Sequence, residues 1–169
     1  MPWPTILRYS ACALAFGLCA GTAWYVFRLR VPGRHMDRRE AIMLITVVYL
    51  AAVTEIIGLR LGLRSIRPLG GTLRAQPLHT TLAALNRGSG AFIYHIFGNL
   101  IWFVPLGALL ARLKPGFNGW KALLAGAALS ACLEALQYLL GTGISDIDDV
   151  LINALGALLG YLLFRRLRV

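Results

Sequence analysis

From Tyr9 to Phe27 the chain runs 19 residues without a charge, and it does nearly the same four more times. The other apolar runs are Ala41–Leu59, Gly88–Ala111, Trp120–Gly141 and the shorter Val150–Phe164, which ends in Arg165, Arg166 and Arg168. A helix of about 20 residues crosses the ~30 Å hydrocarbon core of a bilayer. In lipid, backbone amides must find their partners inside the protein, and no run alternates with the two-residue period of a barrel strand. What remains is an all-α fold: a polytopic membrane helical bundle of about five transmembrane helices, a single membrane domain over residues 1–169.

Composition agrees. The 169 residues are 58% hydrophobic and 14% charged, with a mean hydropathy of +0.68. Soluble domains run nearer 45–50% apolar and about 25% charged, so a soluble enzyme, a disordered chain and a disulfide scaffold are all disfavoured. The net charge of +10 sits mostly at the ends of the apolar runs. There it orients helices and meets anionic headgroups, so the expected partner is the lipid bilayer and no nucleic acid. Cys12, Cys19 and Cys132 match no metal spacing and read as small hydrophobes. The first run ends in Trp24, Tyr25 and Phe27 followed by Arg28 and Arg30. This is an interface anchor, so a retained helix is expected rather than a cleaved signal.

Five crossings place eleven basic residues on one side and six on the other. The positive-inside rule then puts the C-terminus in the cytoplasm and the acidic Gly141–Asp149 loop outside. The loop from Arg60 to Arg87 carries Pro68, Gly70, Gly71 and Pro77 and is too polar to span. It is expected to lie along the headgroups, with its arginines on lipid phosphates.

Polar groups inside membrane helices are costly and mark function by default. Residues three and four apart share a helix face, which aligns Ser130, Glu134 and Gln137 in the fourth run and Asp149, Asn153, Gly156 and Gly160 in the fifth. In the third run His95 and Asn99 align, followed by Trp102. The three stripes are expected to face one another, since none faces lipid cheaply. Plainer roles compete. Gly156 and Gly160 form a small-xxx-small packing pattern, His95 and Asn99 can simply bond across helices, and Pro105 suits a kink. Ser145-x-x-Asp148 resembles a capping box. Capping accounts for one or two of Asp146, Asp148 and Asp149, but not for three acids together. Glu134, mid-span, is the hardest to dismiss; Glu55, near a span end, is expected to reach the interface and pair with Arg60.

The stretch from His95 to Tyr161 resembles the VanZ-like family. The resemblance rests on Gly98-Asn99-Leu100, Phe103-Val104-Pro105-Leu106-Gly107, Ser130-x-x-x-Glu134-x-x-Gln137 and Asp146-Ile-Asp148-Asp149-Val-Leu-Ile-Asn153-x-x-Gly156-x-x-x-Gly160-Tyr161. Where the family usually has an arginine before its first aspartate, this chain has Gly143, Ile144 and Ser145. The resemblance implies a family core over about residues 91–164 and a bacterial envelope protein. The founding member is associated with resistance to the glycopeptide teicoplanin.

The leading expectation is therefore a multi-pass protein of the bacterial cytoplasmic membrane. It engages a lipid-linked or peptidoglycan-related envelope precursor, with Asn99, Glu134, Gln137, Asp146, Asp149 and Asn153 lining the pocket. No cofactor is required by this reading. An enzyme acting on a lipid phosphate is a second possibility, with Glu134 as general acid or base and a divalent cation at Asp146 and Asp149. A small ion- or proton-coupled transporter and a purely structural partner stand beside these. The residues leave catalysis, ligand and oligomeric state open.

Overall fold

The computed structural model describes residues 3–29, 37–60, 66–113 and 116–167. Five helices in it are long and apolar enough to cross a membrane, as in a multi-pass membrane protein. In chain order the elements are α1 (Trp3–Leu29), α2 (Arg38–Val53, continued by a π-helical turn Thr54–Leu59), β1 (Thr72–Arg74) and α3 (His79–Asn86). Then follow α4 (Ser89–Leu113), α5 (Gly119–Leu140), β2 (Ile144–Asp146), α6 (Ile147–Phe164) and a 3-10 turn Arg165–Leu167. The spans agree with the apolar runs to within a few residues, except that α1 begins earlier. Arg30, Arg34, Arg64, Lys114 and Arg168, which entered the charge count, lie outside the described residues.

Lipid supplies no hydrophobic drive between helices, so close backbone packing has to hold the bundle. It is provided by α4 against α6. A Cβ on Gly156 would collide with the Leu100 carbonyl, and one on Gly160 with the Val104 carbonyl. Gly107 makes the reciprocal approach to the Ala157 carbonyl. The small-residue face read from the sequence is thus a real backbone-to-backbone contact. α6 also packs on α5 and is the most enclosed span, with 44% of its span buried against 17–28% in the others. Val53, Ile57, Phe103, Leu106, Leu133 and Ala157 form the core beside it.

Two helices carry irregularities. Pro105 lies inside α4 without an N–H to donate, and close by the Tyr49 hydroxyl from α2 donates to the Trp102 carbonyl at 2.7 Å. At the end of α2 the Arg60 N–H bonds the Glu55 carbonyl at 2.8 Å, five residues back, and Arg60 turns left-handed (φ 52°). Exposed carbonyls of that turn are taken up by α5 and its following loop. Gln137 donates to the Ile57 carbonyl at 2.6 Å, and the Thr142 hydroxyl to the Gly58 carbonyl at 2.9 Å. Glu55, expected at the interface, is instead completely buried in this turn, because the π-helical winding rotates it between helices. At the opposite end of α2, Arg28 pairs with Glu40 and lies over the Trp24 ring.

The loop after α2 does not spread along the headgroups as expected. It folds back on the bundle because the last carbonyls of α5 need donors, and the Arg67 and Leu69 N–H groups bond the Leu140 and Leu139 carbonyls at 2.8 Å each. Gly141, left-handed at φ 62°, ends α5 and lets the Arg67 carbonyl pass close by. β1 then pairs in parallel with β2, with Arg74 opposite Asp146. This ribbon is the one sheet among the described residues.

Gly160→Leu is expected to cost about 1–3 kcal/mol or more through overpacking against α4. Gly98→Ala, where a Cβ meets nothing within 4 Å, should be neutral or slightly stabilising. Thermal unfolding of both variants in detergent checks the contrast.

Candidate functional site

The site is organised by the start of α6, where three aspartates within four residues perform three different tasks. Asp146 is the N-cap, its Oδ1 accepting the Asp148 N–H at 3.0 Å. A carboxylate there is favoured by the positive end of the helix dipole. The cap is thus one residue later than the capping box expected at Ser145. Asp146 also accepts a hydrogen bond from the Thr80 hydroxyl, and its own N–H donates to Glu134 Oε2 at 2.9 Å.

Asp148 turns the other way and caps α3. It accepts the Leu78 N–H at 2.5 Å and the Thr81 N–H at 2.9 Å. α3 has no side-chain cap of its own, and Leu78 sits in the left-handed region at φ 62°, a conformation costing roughly 1–2 kcal/mol for a residue with a Cβ. The buried carboxylate of Asp148, 1% exposed, is what holds that turn. Asp149 faces α4. Asn99 Nδ2 donates to its Oδ1 at 2.6 Å, and His95 Nδ1 lies 3.9 Å from the same oxygen. The other ring nitrogen of His95 is 3.2 Å from the Thr81 hydroxyl.

Deeper in the bundle, Asn153 donates to Ser130 Oγ at 2.8 Å, tying α6 to α5. Glu134 is buried, with Oε2 on Asp146; Oε1 has no hydrogen-bond partner among the described residues. The stripes on α4, α5 and α6 therefore do meet, with two qualifications. Gln137 turns toward the α2 π turn, because the Ile57 carbonyl needs a donor. Trp102 is 40% exposed and contributes its backbone carbonyl rather than its ring to the interior.

Above these layers opens a cleft of ≈ 550 Å³. Arg60 comes from the π turn, Arg67 from the loop and Arg74 from β1; Thr80, His95, Asp146 and Asp149 complete its wall. Among the described residues none of the three guanidiniums forms an ion pair with a carboxylate. The nearest polar contacts are the Ile57 carbonyl for Arg60 Nε (3.1 Å) and the Thr80 hydroxyl for Arg74 Nη1 (3.5 Å). Three planar forks of donors facing one cavity suit the oxygens of a phosphate. No group of three or more His, Cys, Asp or Glu among the described residues is arranged to hold a metal. A cation between Asp146 and Asp149 would take its remaining oxygens from ligand or water.

Of the six residues expected in the pocket, only Asp146 and Asp149 line the cleft. Asn99 positions Asp149, Glu134 holds the Asp146 backbone, and Asn153 and Gln137 join helices. Thr80 and Thr81 carried no sequence signal, since their partners are 66 and 67 residues away. The arginines were visible, but not that strand pairing turns them inward.

A family model described as VanZ/LLP1 matches residues 41–168, reaching well upstream of the motifs in α4 to α6. No curated protein and no solved structure matches the chain.

Charge-assisted hydrogen bonds contribute about 1.5–3 kcal/mol, so Asp148→Asn should accelerate amide exchange across residues 78–86 by roughly tenfold or more. Asp149→Asn should leave that segment unchanged. Hydrogen exchange read by mass spectrometry distinguishes the two.

Proposed function

Because the chain belongs to the VanZ/LLP1 family, we propose that it is a bacterial envelope protein that holds an anionic, phosphate-bearing ligand in the arginine cleft. The ligand class is a lipid-linked or peptidoglycan-related precursor met at the outer face of the cytoplasmic membrane. The observation that carries this reading is the convergence of Arg60, Arg67 and Arg74 on one cleft, none of them in a direct ion pair with a carboxylate among the described residues. Guanidiniums bind phosphate bidentately and more strongly as water is excluded. Asp146 and Asp149 in the same cleft suit ligand hydroxyls or an accompanying cation, and they set an orientation. The excess of basic residues at the other end of the bundle supports an outward-facing cleft.

One observation favours a second reading, an enzyme acting on a lipid phosphate. His95 stands in the same cleft between Thr81 and Asp149, within reach of a group held by the arginines, and imidazole is the commonest proton-transfer group. Divalent-dependent phosphate release lost in His95→Gln, Asp146→Asn and Asp149→Asn would favour it.

The test is sensitivity to teicoplanin and other wall-active agents in a permeable bacterial host, at matched membrane levels. Wild type is expected to protect; Arg67→Gln, Asp149→Asn and Glu134→Gln are expected to protect at least severalfold less. Equal behaviour of wild type and folded variants would remove the cleft from envelope chemistry.

A further inference from the structure

A second, apolar recess of ≈ 290 Å³ adjoins the arginine cleft, and the two share Arg74 and Asp146. Its walls are Ala131, Ala135 and Tyr138 of α5 and Ile147 and Val150 of α6. Ala131, Ala135, Tyr138 and Ile147 are exposed and lie within helices that fit membrane spans, so in a bilayer this groove faces hydrocarbon. From Leu140, where α5 ends, down to Ala131 is nine residues. At 1.5 Å per residue this is roughly 14 Å, about the depth of one leaflet. Glu134 stands in the groove wall, 3% exposed, and its Oε1 has no hydrogen-bond partner among the described residues. The polar cleft and the apolar recess thus meet at Arg74 and Asp146.

We propose that the ligand is a phosphate-bearing lipid taken sideways from the bilayer. Its headgroup sits among Arg60, Arg67 and Arg74, and its hydrocarbon chain lies in the groove between α5 and α6. This rests on the arginine cleft as phosphate site and adds the chain seat and the route of entry. Charge complementarity fixes the headgroup end, and continuity through Arg74 and Asp146 fixes where the chain must leave it. The small side chains of Ala131 and Ala135 keep the groove open.

The probe is radiolabelled dioleoyl phosphatidic acid, with dioleoyl phosphatidylcholine as the control of equal chain length, bound to the purified full chain in detergent. Ala135→Trp and, independently, Ala131→Trp fill the groove from positions that face outward, so both should fold; thermal unfolding checks this. Wild type should prefer phosphatidic acid over phosphatidylcholine at least tenfold. Either tryptophan variant, and Arg67→Gln, should weaken phosphatidic acid binding about tenfold, whereas Ala135→Ser should bind like wild type. Loss with Arg67→Gln but not with the tryptophan variants overturns the chain seat and leaves the phosphate cleft standing. Equal displacement by glycerol 3-phosphate and by phosphatidic acid does the same. No preference for phosphatidic acid, or no effect of Arg67→Gln, overturns both readings.

Discussion

Hydrocarbon offers no hydrogen bonds, and much of this protein's polar architecture follows from that. Backbone groups exposed by helix ends or by winding faults must be answered by the protein's own donors and acceptors. The π turn of α2 is answered by Gln137 and Thr142, the end of α5 by the Arg67 and Leu69 amides, and the start of α3 by Asp148. Each of these bonds links segments far apart in the chain. Together they fold the loop after α2 onto the ends of α5 and α6. The arginine cleft is a consequence of that folding, because the same backbone pairing that satisfies α5 fixes where Arg67 and Arg74 stand.

The membrane helices were legible because the apolar runs are long and their polar residues recur at helical spacing. Gly156 and Gly160 read correctly as close packing, and His95, Asn99 and Asp149 as facing one another, since both follow from residues four apart on adjacent spans. The failures have one physical source, which is winding and pairing outside the regular helix. Nothing in Thr54–Leu59 announces a π turn, so Glu55 was expected at the interface although the turn buries it. Nothing local in Thr72–Arg74 announces a strand, because its partner lies 72 residues later. Of the candidate site residues, Asp146 and Asp149 line the cleft; Gln137 and Asn153 bond helices, and a polar stripe alone does not tell these uses apart.

The sequence just before Asp146 is Gly143, Ile144 and Ser145, where the resembling family more usually has an arginine. Here the guanidiniums arrive from other segments. Arg60 leans over Gly143, where a Cβ would lie 3.2 Å from its Nη1, and Arg74 is held in register with Asp146. A cation beside the first aspartate is thus supplied by tertiary placement rather than by the neighbouring residue.

The parallel pairing of β1 with β2, together with the cap that Asp148 places on α3, sets an order of assembly. Both partners are encoded only after α4 and α5 have been made, so the segment 66–87 emerges from synthesis before the strand pairing and the cap can form. At about 5–20 residues per second, the 67 residues between Thr81 and Asp148 take roughly 3–13 s to translate. The cleft is complete only once α6 is in place with Asp146 and Asp149 in its wall, and a chain arrested before it has the arginines but not that wall.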